Sequence, residues 1–165
     1  MGIEVAWTKQ GVFISQKKHT QDIVKEIDML GCKPIATPIE ANHKLGDKTE
    51  EGLEDQSTYQ WIVGKLIYLS HVRIDIVYVA SVVSQFIHDP LKSHLEAIYK
   101  SVKCLKATPS KWVMFQKKGY LSLEVNTNAN WAGAIIDKRS KTKYCTFLGG
   151  KLITWRSRNT LLLLN

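Results

Sequence analysis

The 165 residues are 44% hydrophobic and 23% charged, which excludes a disordered chain and describes one or two small globular domains. No apolar run approaches the ~20 residues that span a bilayer, and the opening residues show neither a basic, apolar leader nor the Ser or Thr at position 6 of a myristoylation signal. The net charge of +8 is uneven: residues 1–99 hold 10 Lys and Arg against 13 Asp and Glu, residues 100–165 hold 13 against 2, and this imbalance points to a polyanion partner.

Residues 2–6 and 11–15 are two short β runs separated by Thr8-Lys9-Gln10-Gly11, the pattern of a hairpin. The chain opens inside a strand, as a piece of something longer would. Thr20 is placed to cap a helix over residues 21–30, with Ile23, Ile27 and Leu30 on one face; Gly31 ends it and Pro34 prevents its restart. Residues 34–55 show little periodicity and read as a long irregular connection, over the surface or between two lobes. Residues 57–70 form a second helix. Gly64 at its middle costs about 1 kcal/mol relative to Ala, so close packing is expected there. Residues 75–87 are a third helix, with Ile76, Val79, Ala80, Val83, Phe86 and Ile87 at helical spacing. Asp89 caps and Pro90 opens a fourth, running to about Lys106. Lys92, Lys100, Lys103 and Lys106 lie largely off its apolar stripe, as a solvated face or as a surface for backbone phosphates.

Past Pro109 the period changes. Leu121, Leu123 and Val125 alternate with polar neighbours; residues 143–148 and 152–155 are further β runs, and Gly149-Gly150 between them suits a type I′ turn. The result is an antiparallel three-stranded meander with an Asn-rich bend, at Asn128 and Asn130, on its first strand. Cys32, Cys104 and Cys145 are widely spaced, which suits a reducing compartment, and with the histidines they form no metal-ligand spacing.

The string Thr127-Asn128-Ala129-Asn130-Trp131-Ala132-Gly133, then Lys138-Arg139-Ser140, Tyr144, Leu148-Gly149-Gly150, Leu152-Ile153 and Trp155, resembles the start of the ribonuclease H domain of Ty1/copia-type retrotransposon polyproteins. Leu30-Gly31-Cys32-Lys33-Pro34, Val63-Gly64-Lys65-Leu66-Ile67-Tyr68-Leu69, Arg73-x-Asp75-Ile76, Val82-Val83-Ser84-Gln85-Phe86 and Pro90-x-Lys92-Ser93-His94 extend the resemblance over nearly the whole chain, in order. It implies an α+β chain in which residues 1–110 are a C-terminal reverse transcriptase segment of thumb and connection type, and residues 111–165 a truncated ribonuclease H-like domain.

The resemblance also implies Mg²⁺ held by carboxylates, because the ion prefers hard anionic oxygen. This sequence departs from that pattern. The family's first catalytic Asp falls on Asn128 and the next Asp on Asn130; the polymerase Asp-Asp pair occurs nowhere in the sequence; Lys143 replaces a Gly before Tyr144. The run expected to carry a helical Glu reads Asn159-Thr160-Leu161-Leu162-Leu163-Leu164-Asn165 instead. No catalytic residue and no cofactor are therefore expected. The favoured reading is a degenerate, catalytically inactive Pol fragment. A second is a nucleic-acid-binding module: Lys100 and Lys103 on the fourth helix, with Lys117, Lys118, Lys138, Arg139, Lys141, Lys143, Arg156 and Arg158, which cluster with Lys111 and Lys151 around Trp112, Tyr120, Tyr144 and Trp155, would take an RNA·DNA hybrid or a single strand. A third is an enzyme in which Asn128 has changed its role. The strand around residues 121–125 is expected to be an unprotected edge through which the chain self-associates, visible as the loss of a sharp monomer peak in size exclusion.

Overall fold

The computed structural model describes residues 2–38, 45, 52–117, 122–130 and 140–160. The chain is α+β and divides into two units, Met1–Met114 and Phe115–Asn165. No helix among the described residues is long and apolar enough to cross a membrane.

The first unit opens with the expected hairpin. Strand β1 (Glu4–Thr8) pairs antiparallel with β2 (Gly11–Ser15), and the Thr8 hydroxyl closes the turn by donating to the Gly11 carbonyl (3.0 Å) and accepting from the Gly11 N–H (3.2 Å). β3 (Trp112–Gln116) completes a sheet of order β1-β2-β3, where Phe13 meets Trp112 edge to face at 4.8 Å.

Helix α1 (Lys17–Glu26) starts before Thr20 and ends before Gly31, which corrects both expected bounds. Its first N–H groups are satisfied from outside the helix: Lys17 N–H donates to the Ser15 hydroxyl (3.1 Å) and Lys18 N–H to the Glu4 carboxylate (3.4 Å). Thr20 lies inside the helix, buried, its hydroxyl donating to the Gln16 carbonyl (3.0 Å). The helix ends where Asp28 turns left-handed (φ 54°), with Met29 N–H on the Val24 carbonyl (2.9 Å) and Asp28 N–H on the Lys25 carbonyl (3.1 Å). That pair of bonds is a Schellman end, which a short polar residue serves as well as the expected glycine.

Helix α2 (Gln56–Leu69) is capped by Asp55. The hydroxyls of Ser57 and Thr58, with their N–H groups, hold the Asp55 carboxyl at about 2. The expected third helix is shorter: a 3₁₀ turn, Ile74–Ile76, leads into α3 (Val77–Ser84). α4 (Lys92–Ala107) begins beyond the Asp89 and Pro90 expected to start it; its cap residue is Leu91, whose N–H donates to His94 Nδ1 (2.9 Å). One core joins Ile23 and Val24 of α1, Ile62 and Leu66 of α2, Val79 and Val83 of α3, and Ile98 and Leu105 of α4. Tyr59 is buried in it and donates to the Val83 carbonyl (2.7 Å). The described chain after α1 lies along α4: Lys106 donates to the carbonyls of Leu30 and Cys32, and the Ser101 hydroxyl donates to the Pro38 carbonyl (3.2 Å).

Gly64 does not pack as expected. It is exposed, with nothing within 4 Å of the place a Cβ would take. Gly64→Ala should therefore raise stability by about 1 kcal/mol through helix propensity. A higher midpoint of urea denaturation is the expected readout; a lower one would mean that the glycine is required by a neighbour.

The second unit is an antiparallel meander of β4 (Leu123–Asn130), β5 (Ser140–Leu148) and β6 (Lys151–Thr160), in the order β4-β5-β6. Gly149 and Gly150 both have positive φ, 55° and 75°, as a type I′ turn requires. Asn128 and Asn130 sit in the ladder of β4 and not at a bend, which corrects the expected Asn-rich turn. Apolar side chains of this sheet stay accessible: Leu123 and Val125 are 63% and 59% exposed, and no described residue of the unit is in the buried core.

Candidate nucleic-acid interface

In an antiparallel pair, directly opposed residues share a face, with Cβ atoms ~4.5–5.5 Å apart. The register of the meander therefore sorts its side chains. One face carries Glu124 with Phe147 and Leu152, then Asn126 with Cys145 and Trp155, then Asn128 with Lys143 and its partner position Ser157. The other carries Leu123 with Leu148 and Lys151, Val125 with Thr146 and Thr154, and Thr127 with Tyr144 and Arg156. A bulge lies where the pairing of β5 with β6 shifts between Thr146 and Phe147, leaving Ile153 without an opposed residue; it keeps Leu152 and Trp155 on the same face.

This sorting divides the basic residues expected to act together. Lys143 is exposed opposite Asn128, on the face of Trp155; Arg156 is exposed opposite Tyr144, on the reverse face. Lys141 pairs with Asn130, and Arg158 with Thr142, in the same ladders. Lys117 is exposed directly after β3. Lys100 is exposed and Lys103 half-buried on α4 of the first unit. Lys118, Lys138 and Arg139 lie outside the described residues. Trp112 is exposed on β3, in the first sheet and not in the meander. Within the second unit the described basic residues thus divide between two differently composed sheet faces, while Lys100 and Lys103 belong to the first unit.

Asn128 is the position that the resemblance assigns to a metal-ligating Asp. Its register partner Lys143 was visible as a residue but not as a neighbour. The turn at Gly149-Gly150 fixes how β5 meets β6. The pairing of β4 with β5 spans a longer connection, so no local signal sets it.

The donor set at this position does not fit Mg²⁺. The ion takes hard, anionic oxygen ligands, whereas Asn128 offers a neutral amide and Lys143 brings a cation to the opposed position. Glu124 lies four residues back along β4, ~13 Å at the rise of a strand, too far to share an ion with Asn128. Among the described residues, no three His, Cys, Asp or Glu side chains converge.

The chain is 35% identical over 158 residues to the retrovirus-related Pol polyprotein from transposon RE2 of Arabidopsis thaliana, and 34% identical over the same length to that from transposon RE1. Each match takes in 96% of this chain and 11% of the relative, so the chain spans about a tenth of the length of these polyproteins. An uncharacterized mitochondrial protein of A. thaliana is 31% identical over 158 residues, 96% of this chain and 65% of that protein. No protein-family model matches. No solved structure matches. The matches take in nearly the whole chain, and the chain belongs to the copia-type Pol polyproteins of retrotransposons.

Proposed function

We propose that this retrotransposon-derived chain is catalytically inactive, and that what its second unit keeps from the Pol polyprotein is affinity for nucleic acid. One observation carries the first part: Asn128, where the family pattern has Asp, stands opposite Lys143, where the pattern has Gly. An acid has been lost and a cation gained at one rung of the sheet. Two unit charges ~5 Å apart interact by ~3 kcal/mol at an effective dielectric of 20, so Lys143 opposes any divalent ion at Asn128.

Paramagnetic Mn²⁺, a stand-in for Mg²⁺, tests this by NMR. Amides of residues 126–128 and 143–145 should broaden no more than other exposed amides. Selective broadening of these two stretches would overturn the reading.

The second part rests on the charge of residues 115–165, 9 Lys and Arg against 2 Asp and Glu. Exposed Lys143, Lys151 and Arg156 distribute that charge over both faces of the meander. Such a surface attracts a polyanion with salt-sensitive affinity and without sequence preference.

A further inference from the structure

The disagreement between the donor set and the metal has a positive side. We infer that the sheet face bearing Asn128, Lys143 and Trp155 is a phosphodiester-binding site for a nucleic-acid strand that works without a metal ion. The inference rests on the nucleic-acid reading above and names the surface and the mode of contact.

Each part of the face supplies one component of such a site. Lys143 is exposed at the centre strand and brings an ammonium with three donors. Asn128 is exposed on the edge strand directly opposite, so its amide N–H₂ can donate to the same phosphate within one cross-strand spacing. Trp155 lies on this face two positions before the register partner of Lys143, and so diagonal to Lys143 at ~7–8 Å, within reach of long and aromatic side chains. A nucleotide with its phosphate on Lys143 would have its base over the indole, and aromatic stacking of bases does not depend on their identity.

Charge decides the sign of the ligand. Glu124 is the acid of this face among the described residues, and it lies two rungs away from Asn128, beside Phe147. That separation of ~13 Å exceeds the Debye length of ~8 Å at physiological salt, so Glu124 leaves the Lys143 rung cationic.

The test uses the whole chain and a fluorescein-labelled oligothymidylate, followed by anisotropy in EDTA and in Mg²⁺. Wild type should bind at low salt in EDTA at least as tightly as in Mg²⁺. Lys143→Gln should weaken binding about 5- to 10-fold and flatten the salt dependence by about 0.7 in slope, one phosphate contact on a single strand. Lys143→Arg should bind within about 2-fold of wild type, since it keeps the charge. Lys9→Gln, the same charge change in the hairpin turn of the first unit, should cost less than about 2-fold. Asn128→Asp should weaken binding in both buffers. No binding by wild type at low salt would sink the nucleic-acid reading and this site with it. Binding by wild type with Lys143→Gln no worse than Lys9→Gln would leave that reading standing and remove this site. Binding that appears only with Mg²⁺, or that Asn128→Asp strengthens in Mg²⁺, would overturn the metal-free mode.

Discussion

Arg73→Ala is expected to destabilise the first unit by about 3 kcal/mol, near the lower end for breaking a buried ion pair from one side. Arg73 is buried, and every nitrogen of its guanidinium donates: Nε and Nη2 to the two oxygens of Asp75 (3.0 and 2.8 Å), Nη1 to the Thr108 carbonyl (2.6 Å) and Nη2 also to the Thr108 hydroxyl (2.8 Å). This fork ties the 3₁₀ turn after α2 to the C-terminal end of α4. Removing it leaves the Thr108 carbonyl and the Asp75 carboxylate without their main partner. Lys111, 3.3 Å from Asp75 but largely exposed, keeps part of the interaction. Lysine cannot reproduce a planar fork, so Arg73→Lys should recover less than half of the loss. Urea denaturation measures both.

The same pair sets an acid limit. Burial pushes the Asp75 carboxyl up, but the hydrogen bonds and charge of Arg73, with the charge of Lys111, outweigh it and hold the carboxyl below its usual range. A carboxylate whose folded value is lower than its unfolded one stabilises the fold above about pH 4 and stops doing so as pH falls through the folded value. Wild type should therefore lose more stability than Arg73→Ala on acidification below about pH 4. Parallel curves would show that the fork does not hold Asp75 in its charged form.

The second large effect is expected in hydrogen exchange. The interior of the first unit holds Tyr59, Ile62, Leu66, Ile98 and Leu105 with almost no solvent exposure, while the described residues of the second unit contribute nothing to a buried core. Backbone pairing alone makes a three-stranded sheet marginal in water; an apolar face against another layer is what stabilises it. Amides of α2 and α4 should exchange at least about a thousandfold more slowly than those of β4, β5 and β6, a gap of about 4 kcal/mol at 1.4 kcal/mol per tenfold. Equal protection would mean that a face of the meander is covered in solution.

Much of this architecture is legible from residue spacing. Ile76, Val79, Ala80 and Val83 announce a buried helical face, and all four are in the core. Gly149-Gly150 announces a type I′ turn, and both residues have positive φ. What the spacing misses is settled by distant or ambiguous groups. The start of α1 depends on Glu4 and Ser15 from the hairpin, and its end on Asp28 in a conformation more often left to glycine. Gly64 reads as a close-packing site because a helix tolerates glycine poorly, yet its surroundings are open. Asn126, Asn128 and Asn130 look like turn residues by propensity, but the alternation of Leu123, Val125 and Thr127 with them holds the strand straight through. The candidate site suffers most. The individual lysines are plain in the sequence, but which of them share a face follows from strand parity and register, and the pairing of β4 with β5 has no short turn to fix it.

With Asn128 where the family pattern has Asp, and Lys143 set against it, the proposed inactivity is a lack of metal-dependent hydrolysis. The most direct measurement incubates the whole chain with an end-labelled RNA·DNA hybrid in Mg²⁺ and follows the RNA strand on a denaturing gel, for wild type and for Asn128→Asp. No shortening of the RNA is predicted for either, because one restored acid still faces the Lys143 cation. RNA cleavage by the wild-type chain that EDTA abolishes would contradict the account.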